Sequence, residues 1–319
     1  MRALAWLRED ACVSDASNLA WRHIDRAAAL ADLKRYDEAL KEAGLAVAAD
    51  PQNLHAHLKL GWVLRHLHRF DEALTVVNAA AALGPNVADV AILRATLLRA
   101  TGDAKGAVEA AQEAVRLAPS APATHQHLGL GWSAMNKPEL AAQAFERALQ
   151  LDANNAANLL FLGVERLALK DNAGAEREFR RSLALDPNNA EAHNNLGVAL
   201  QRLGRNDEAA LSYKEAVRLD PNLGLAKRNA HRLLSLKTSA APIAIGLILS
   251  LKVLGVVGGA SANAKGSTSS VAIGDIVGLS LAVVAIAAVL WYRLRRPTIK
   301  PEMQQFWQRL EADKKKGRL

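Results

Sequence analysis

Small apolar residues recur along this chain at a fixed interval. Ala39, Ala73, Ala107, Ala141, Ala175 and Ala209 stand 34 residues apart, with no insertion or deletion. A second small residue follows seven later each time, at Ala46, Ala80, Ala114, Ala148, Ser182 and Ala216. A proline comes five after that, at Pro51, Pro85, Pro119, Pro187 and Pro221, with Ala153 the one lapse. A period of this length marks stacked supersecondary units. In the last unit Leu196, Ala199, Leu200 and Leu203 fall on one helical stripe, and Ala209, Tyr213, Ala216, Val217 and Leu219 on a second. Leu203-Gly204 ends the first helix, because glycine accepts the left-handed conformation past the last turn. Asp207 is placed to cap the second, with Glu208 in its first turn. Asp220-Pro221-Asn222 stops it, since proline disfavours helix in the residue before it. The pattern therefore predicts two antiparallel helices per unit. Gly197, Ala209 and Ala216 mark where their backbones approach, and a larger side chain there would overpack at roughly 1–3 kcal/mol.

The units carry a shared signature: Leu60-Gly61, Ala73 and Pro85; Leu128-Gly129, Trp132, Ala141, Phe145 and Ala148; Leu162-Gly163, Ala175, Phe179 and Pro187; Leu196-Gly197, Ala209, Tyr213, Ala216 and Pro221. In these the chain resembles the tetratricopeptide repeat family. The frame gives six units, 20–53, 54–87, 88–121, 122–155, 156–189 and 190–223, or 204 of 319 residues. Arg26-Ala27 depart from the usual Leu-Gly, and Ala43 and Ala111 from the usual aromatic. The resemblance implies an all-α, right-handed superhelical solenoid of antiparallel helix pairs. It also implies a non-enzymatic scaffold that binds a protein or peptide in a concave groove. End units expose an apolar face and need caps. Residues 1–19 are expected to supply one as a short helix over 2–13; Arg8, Glu9 and Asp10 interrupt its apolar run, so it does not read as a secretory signal. Residues 224–240 are expected to be the other cap and a linker, with Lys227, Arg228 and Arg232 in solvent.

Two apolar stretches follow, at 241–260 and 271–292, joined by the small, polar loop 261–270. Their apolar cores, 243–260 and 271–290, would be about 27 and 30 Å long as helices, enough to cross hydrocarbon. Each contains one charge, Lys252 and Asp275. Lys227, Arg228, Arg232 and Lys237 stand before the pair and Arg293, Arg295, Arg296 and Lys300 after it, while the loop holds only Lys265. The positive-inside rule then predicts a transmembrane hairpin with the repeats and both chain ends in the cytoplasm. One span, or none with the first stretch packed on the repeats, are the alternatives. Lys252 and Asp275 are a possible intramembrane pair, since isolated charges in hydrocarbon usually find a partner. In the tail, 293–319, Met303, Phe306, Trp307 and Leu310 recur at helical spacing ahead of Lys314-Lys315-Lys316. That suits an amphipathic helix on an anionic leaflet.

Charge changes the picture in one respect. The net +8 invites a nucleic-acid reading, but residues 1–223 hold 25 Lys plus Arg against 28 Asp plus Glu. The excess lies in 224–319, with 15 against 4, beside the apolar stretches. Aromatics are few, so bases have little to stack on, and nucleic acid is not expected as a partner. Cys12 is the only cysteine, so no internal disulfide forms. His55/His57 and His125/His127 look like ligand pairs, but residues two apart on a helix diverge by about 200°. His23, His57, His125 and His193 hold the position where the family often has an aromatic, and are expected as half-buried rings. No phosphate loop, paired cysteines or nucleophile motif appears, so no metal, cofactor or catalytic residue is assigned.

The resemblance also places the groove. The second, fifth, sixth, ninth and twelfth positions of each unit should face it: Trp21, Asp25, His55, Lys59, Trp62, Arg65, Thr96, Arg99, His127, Leu130, Phe161, Val164, Asn194 and Asn195. Family members that clamp acidic C-terminal tails carry Lys and Asn at the fifth and ninth positions of one unit, and no unit here does. The groove reads as apolar to mixed, suited to an extended or helical apolar segment. Two alternatives remain: a structural subunit of a membrane complex, its glycine-containing spans the interface, and a soluble or peripheral co-chaperone-like module whose C-terminal stretches fold back on the repeats.

Overall fold

The computed structural model describes residues 3–238 and 301–317, and all regular structure among them is helical, in fourteen helices. They divide into two bodies, 1–203 and 204–319.

The first body is built of helix pairs: α1 (Ala3–Asp32) with α2 (Tyr36–Ala49), α3 (Leu54–His66) with α4 (Phe70–Leu83), α5 (Ala88–Ala100) with α6 (Ala104–Leu117), α7 (Pro122–Ala134) with α8 (Pro138–Leu151), and α9 (Ala156–Ala168) with α10 (Asn172–Leu185), followed by α11 (Ala190–Arg202). The 34-residue frame holds throughout. Ala39, Ala73, Ala107, Ala141 and Ala175 are fully buried or nearly so, as are Ala46, Ala80, Ala114, Ala148 and Ser182. Serine is accommodated because its hydroxyl donates to the carbonyl of Ala156 at 2.8 Å.

Side-chain size is matched across each pair. A Cβ added to Gly163 would stand 2.5 Å from the ring of Phe179, and one at Gly129 2.7 Å from Phe145. Where the second helix has lost its aromatic, the first has gained a methyl: Ala95 clusters with Ala111, and Ala27 and Ala43 fill the same two positions, both fully buried. The departures from the family pattern compensate one another.

Every unit of the frame turns at the same place. Lys34, His68, Gly102, Asn136, Lys170 and Gly204 all have positive φ, between 55° and 89°. In the first five units the amide three residues past the helix bonds back across the last turn, as from Arg35 to Leu30 and from Arg69 to Leu64. This is the Schellman arrangement, and four of its six left-handed residues are not glycine. The opposite turn uses asparagine: Asn53, Asn155 and Asn189 accept from the amides of Ala56, Asn158 and Ala192.

Two expectations are corrected here. Residues 2–13 do not form a separate cap; α1 runs unbroken from Ala3 to Asp32, because no glycine or proline between 14 and 20 ends the helix. Asp207 does not cap α12 (Asn206–Leu219): Arg205 holds the N-cap position, and Asp207 lies in the first turn.

The second body contains α12, α13 (Gly224–Thr238) and α14 (Pro301–Lys315). Ala226, Ala230 and Leu233 of α13 are buried, and so are Met303, Phe306 and Leu310 of α14, which packs on α13. The apolar face expected on a lipid leaflet is therefore covered by protein, while Lys314, Lys315 and Lys316 stay exposed. Lys227, expected in solvent, pairs with Asp313 at 2.9 Å, and His231 with Glu311 at 2.9 Å. These pairs advance along α13 as they retreat along α14, so the two helices run antiparallel. Among the described residues no helix is long and apolar enough to cross a membrane. The stretches 241–260 and 271–292, with Lys252 and Asp275, lie outside the described residues.

Candidate protein-binding groove

In the first body, four of the five neighbouring pairs of first helices approach one another: α1 with α3, α3 with α5, α5 with α7, and α9 with α11. The second helices make no comparable approach. A stack whose members are closer on one side curves toward that side, which gives a concave surface on the first helices.

At one end of this face lie aromatic rings. Trp21 is exposed and meets His55 with ring centroids 5.0 Å apart. Trp62 packs on His66 at 4.1 Å, and His66 stacks flat on Tyr36 at 4.9 Å. Asp25 is exposed beside them in the register of α1. Two cations border Trp62: Lys59 Nζ lies 5.5 Å from its ring centroid and the Arg65 guanidinium 6.0 Å. Arg65 also donates from Nη2 to His66 Nε2 at 2.9 Å, leaving its Nε enclosed without an acceptor. Burial first, and then the like charge of Arg99, hold the Arg65 pKa below its ordinary value.

The next units continue the face. Thr96 is buried, and its hydroxyl donates to the Ile92 carbonyl at 2.9 Å. Its oxygen thus accepts from His127 Nδ1 at 3.3 Å. Burial, reinforced by Arg99 and Arg65, pushes the His127 pKa down to about 4, so the ring is neutral near pH 7. Leu130 and Phe161 are half-buried and join the cluster around Phe145, whose ring is 5.4 Å from that of Phe161. Val164 is exposed. Asn194 is buried and donates to Asn195 at 3.1 Å.

Of the fourteen expected residues, Thr96 and Asn194 are thus turned largely inward, and the rest are half-buried or exposed. Tyr36 and His66 were not anticipated, because neither occupies a groove position of the frame. Ser133 and Glu165 were missed too: the Ser133 hydroxyl donates to the buried Glu165 carboxylate at 2.6 Å, and burial raises the pKa of that carboxylate. Ser133 holds the same twelfth position as Arg65 and Arg99, a signal that was readable.

The histidine pairs diverge. His55 lies on Trp21, whereas His57 Nε2 donates to the Pro51 carbonyl at 2.9 Å. His125 does the same to Pro119, and His193 to Pro187. His23, which has no such proline before it, pairs with Glu42 at 2.6 Å. Among the described residues no three His, Cys, Asp or Glu side chains gather as metal ligands.

Comparison with known proteins agrees with this architecture. Residues 30–97 and 161–223 each match a family model described as tetratricopeptide repeat. No curated protein matches the sequence. Among solved structures, a chain of the APC/C hetero-tetramer Cut9-Hcn1 superposes with a TM-score of 0.64 at 19% identity, over 72% of this chain and 45% of that one. This chain therefore spans less than half of that relative. Pseudomonas aeruginosa pilF gives 0.59 at 19% identity, over 67% of this chain and 97% of that one. TTC0263, a thermophilic TPR protein in Thermus thermophilus, gives 0.50 at 25% identity, over 57% and 100%.

Proposed function

We propose, on the premise that this chain is a tetratricopeptide repeat protein, that it is a non-enzymatic scaffold. It holds a protein segment on the first helices of its repeats and is tethered to a membrane through residues 241–292. The observation that carries the binding role is the exposed face of aromatic and cationic side chains along α1, α3, α5 and α7. Trp21 and His55 are exposed on it, while Trp62 and Arg65 are half-buried there, Trp62 also packing on the cores beneath.

The tether rests on the two apolar stretches and their positive flanks. Support for its topology comes from α13 and α14. Helices in contact lie on one side of a bilayer, so this contact supports an even number of crossings between them. A hairpin of two spans satisfies this, and a single span does not. The positive flanks then put the repeats, Gly224 and Leu319 on the cytoplasmic side. The return of α14 also suits a peripheral protein whose C-terminal part folds back.

Two measurements test the reading. A reporter active only in the cytoplasm, fused after Gly224 and separately after Leu319, gives signal at both sites; loss at either defeats the hairpin. Alkaline carbonate leaves the full chain in the membrane pellet, whereas release would establish the peripheral reading instead.

A further inference from the structure

Arg65 and Arg99 hold the twelfth position of consecutive units, on α3 and α5, two helices that touch. Among the described residues neither forms an ion pair. This contrasts with the outer helices, where Arg69, Arg116, Arg181 and Arg218 each hold a carboxylate. Lys59 and the two arginines therefore gather cationic charge in a body that is otherwise close to neutral. His127, on the next first helix, is held neutral first by burial and then by Arg99 and Arg65. The fold does not favour the approach of the two guanidinium groups themselves, since like charges at close range destabilise one another. Among the described residues the enclosed Arg65 Nε has no acceptor, and Arg99 beside it is exposed to solvent.

We propose that Arg65 and Arg99 form a carboxylate-binding subsite for an acidic segment of a partner protein, with Trp62 and Trp21 taking an apolar side chain next to the acidic residues. This rests on the scaffold reading and names the chemistry of its partner. It differs from the acidic-tail clamp of the family, whose fifth and ninth positions are here Leu58 and Trp62, and Ile92 and Thr96. Packed helices lie about 8–10 Å apart. A segment in the polyproline II conformation advances about 3.1 Å per residue and brings every third side chain back to the same face. Carboxylates three residues apart therefore match two rungs of the stack. Arginine suits this role, because its planar fork meets a carboxylate with two parallel bonds. Two rungs in a near-neutral body do not make the continuous basic track a nucleic acid needs.

The test uses the full chain in detergent and an array of immobilised ten-residue peptides. Each peptide carries one Trp and two Glu at separations of one to four, beside its Gln counterpart and a ten-nucleotide oligo(dT). Glu peptides with the three-residue separation should bind at least tenfold more tightly than their Gln counterparts, and R65Q or R99Q should each remove most of that margin. Equal binding of Glu and Gln peptides, or a margin untouched by both variants, overturns the proposal; tighter binding of oligo(dT) replaces the partner class with nucleic acid and overturns it as well. Peptides that bind without preference for Glu would leave the scaffold reading standing alone, whereas no binding by any peptide on the array would count against both. R99Q should leave the melting temperature unchanged or slightly raised. A clear fall would assign Arg99 to the fold and sink the idea.

Discussion

His125 donates from Nε2 to the carbonyl oxygen of Pro119 at 2.8 Å, tying the first helix of one unit to the turn that ends the unit before. His57 with Pro51 and His193 with Pro187 repeat the contact six residues apart. Histidine at this position does two jobs: its ring fills the space an aromatic would take, and its N–H satisfies a carbonyl that proline's neighbourhood leaves free. His125→Ala should lower stability by about 1–3 kcal/mol, since it removes both ring and donor. His125→Phe restores the ring, and Pro119 is exposed enough for water to serve its carbonyl, so the loss should be under about 1 kcal/mol. Urea unfolding followed by circular dichroism separates the two, and equal losses would mean that the ring contributes nothing.

The size matching between helices of a pair gives a second expectation. Gly163→Ala pushes a methyl into Phe179 and should cost roughly 1–3 kcal/mol. Ala111→Phe should cost a similar amount, because Ala95 occupies the room the ring needs. Ala95→Gly added to Ala111→Phe should recover most of the loss. A double-mutant cycle with no coupling would show that positions 95 and 111 do not share that space.

The left-handed turn residues offer a gain in stability. A left-handed backbone costs an L-residue roughly 1–2 kcal/mol, and glycine gives back about 0.4–1 through the freedom of its unfolded chain. Lys34→Gly, His68→Gly and Lys170→Gly should each stabilise by about 0.5–1 kcal/mol, and these separated sites should add. Thermal unfolding of the triple variant checks this, with a lowered midpoint as the contrary result.

Stability should depend on pH through His127. Its ring titrates near 6.5 in the unfolded chain and is pushed down to about 4 in the folded one, first by burial and then by Arg99 and Arg65. Below pH 6.5 the unfolded state takes up a proton that the native state refuses. The contribution is complete above that value and is lost progressively as the pH falls toward 4, by up to about 1.4 kcal/mol per unit. Between about pH 7 and 5 the urea midpoint should fall, and His127→Gln should flatten that part of the profile. An unchanged slope would place the sensitivity elsewhere.

For the proposed hairpin, Lys252 and Asp275 would sit roughly 12 and 7 Å below the outer turn. If they pair, K252L and D275L should each lower the amount of inserted protein, and the double change should restore it. Improved insertion with K252L alone would identify the lysine as an unpaired burden.

Much of the first body was legible because period, small residues and breakers act locally. The alanines at 34-residue intervals and the Leu-Gly steps located each helix pair, since they report where two backbones must come close. The rest depended on partners distant in sequence. Nothing near Asp313 or Glu311 announces Lys227 and His231, so the tail read as an amphipathic helix free to meet lipid. Tyr36 opens α2, where no register predicts a groove contact, and it reaches His66 only through the fold. The aromatic and apolar side chains of the first helices follow from position in the frame. The unpaired arginines became visible only when every other nearby partner could be placed.

The Lys227–Asp313 pair joins residues 86 positions apart. At about 5–20 residues per second, the ribosome makes Asp313 some 4–17 s after Lys227. The repeats can fold as they emerge, but the second body cannot close until Asp313 has been made. A chain released early would carry an intact repeat stack and a bare α13, whose Ala226, Ala230 and Leu233 face would be left for quality-control proteases or chaperones to find.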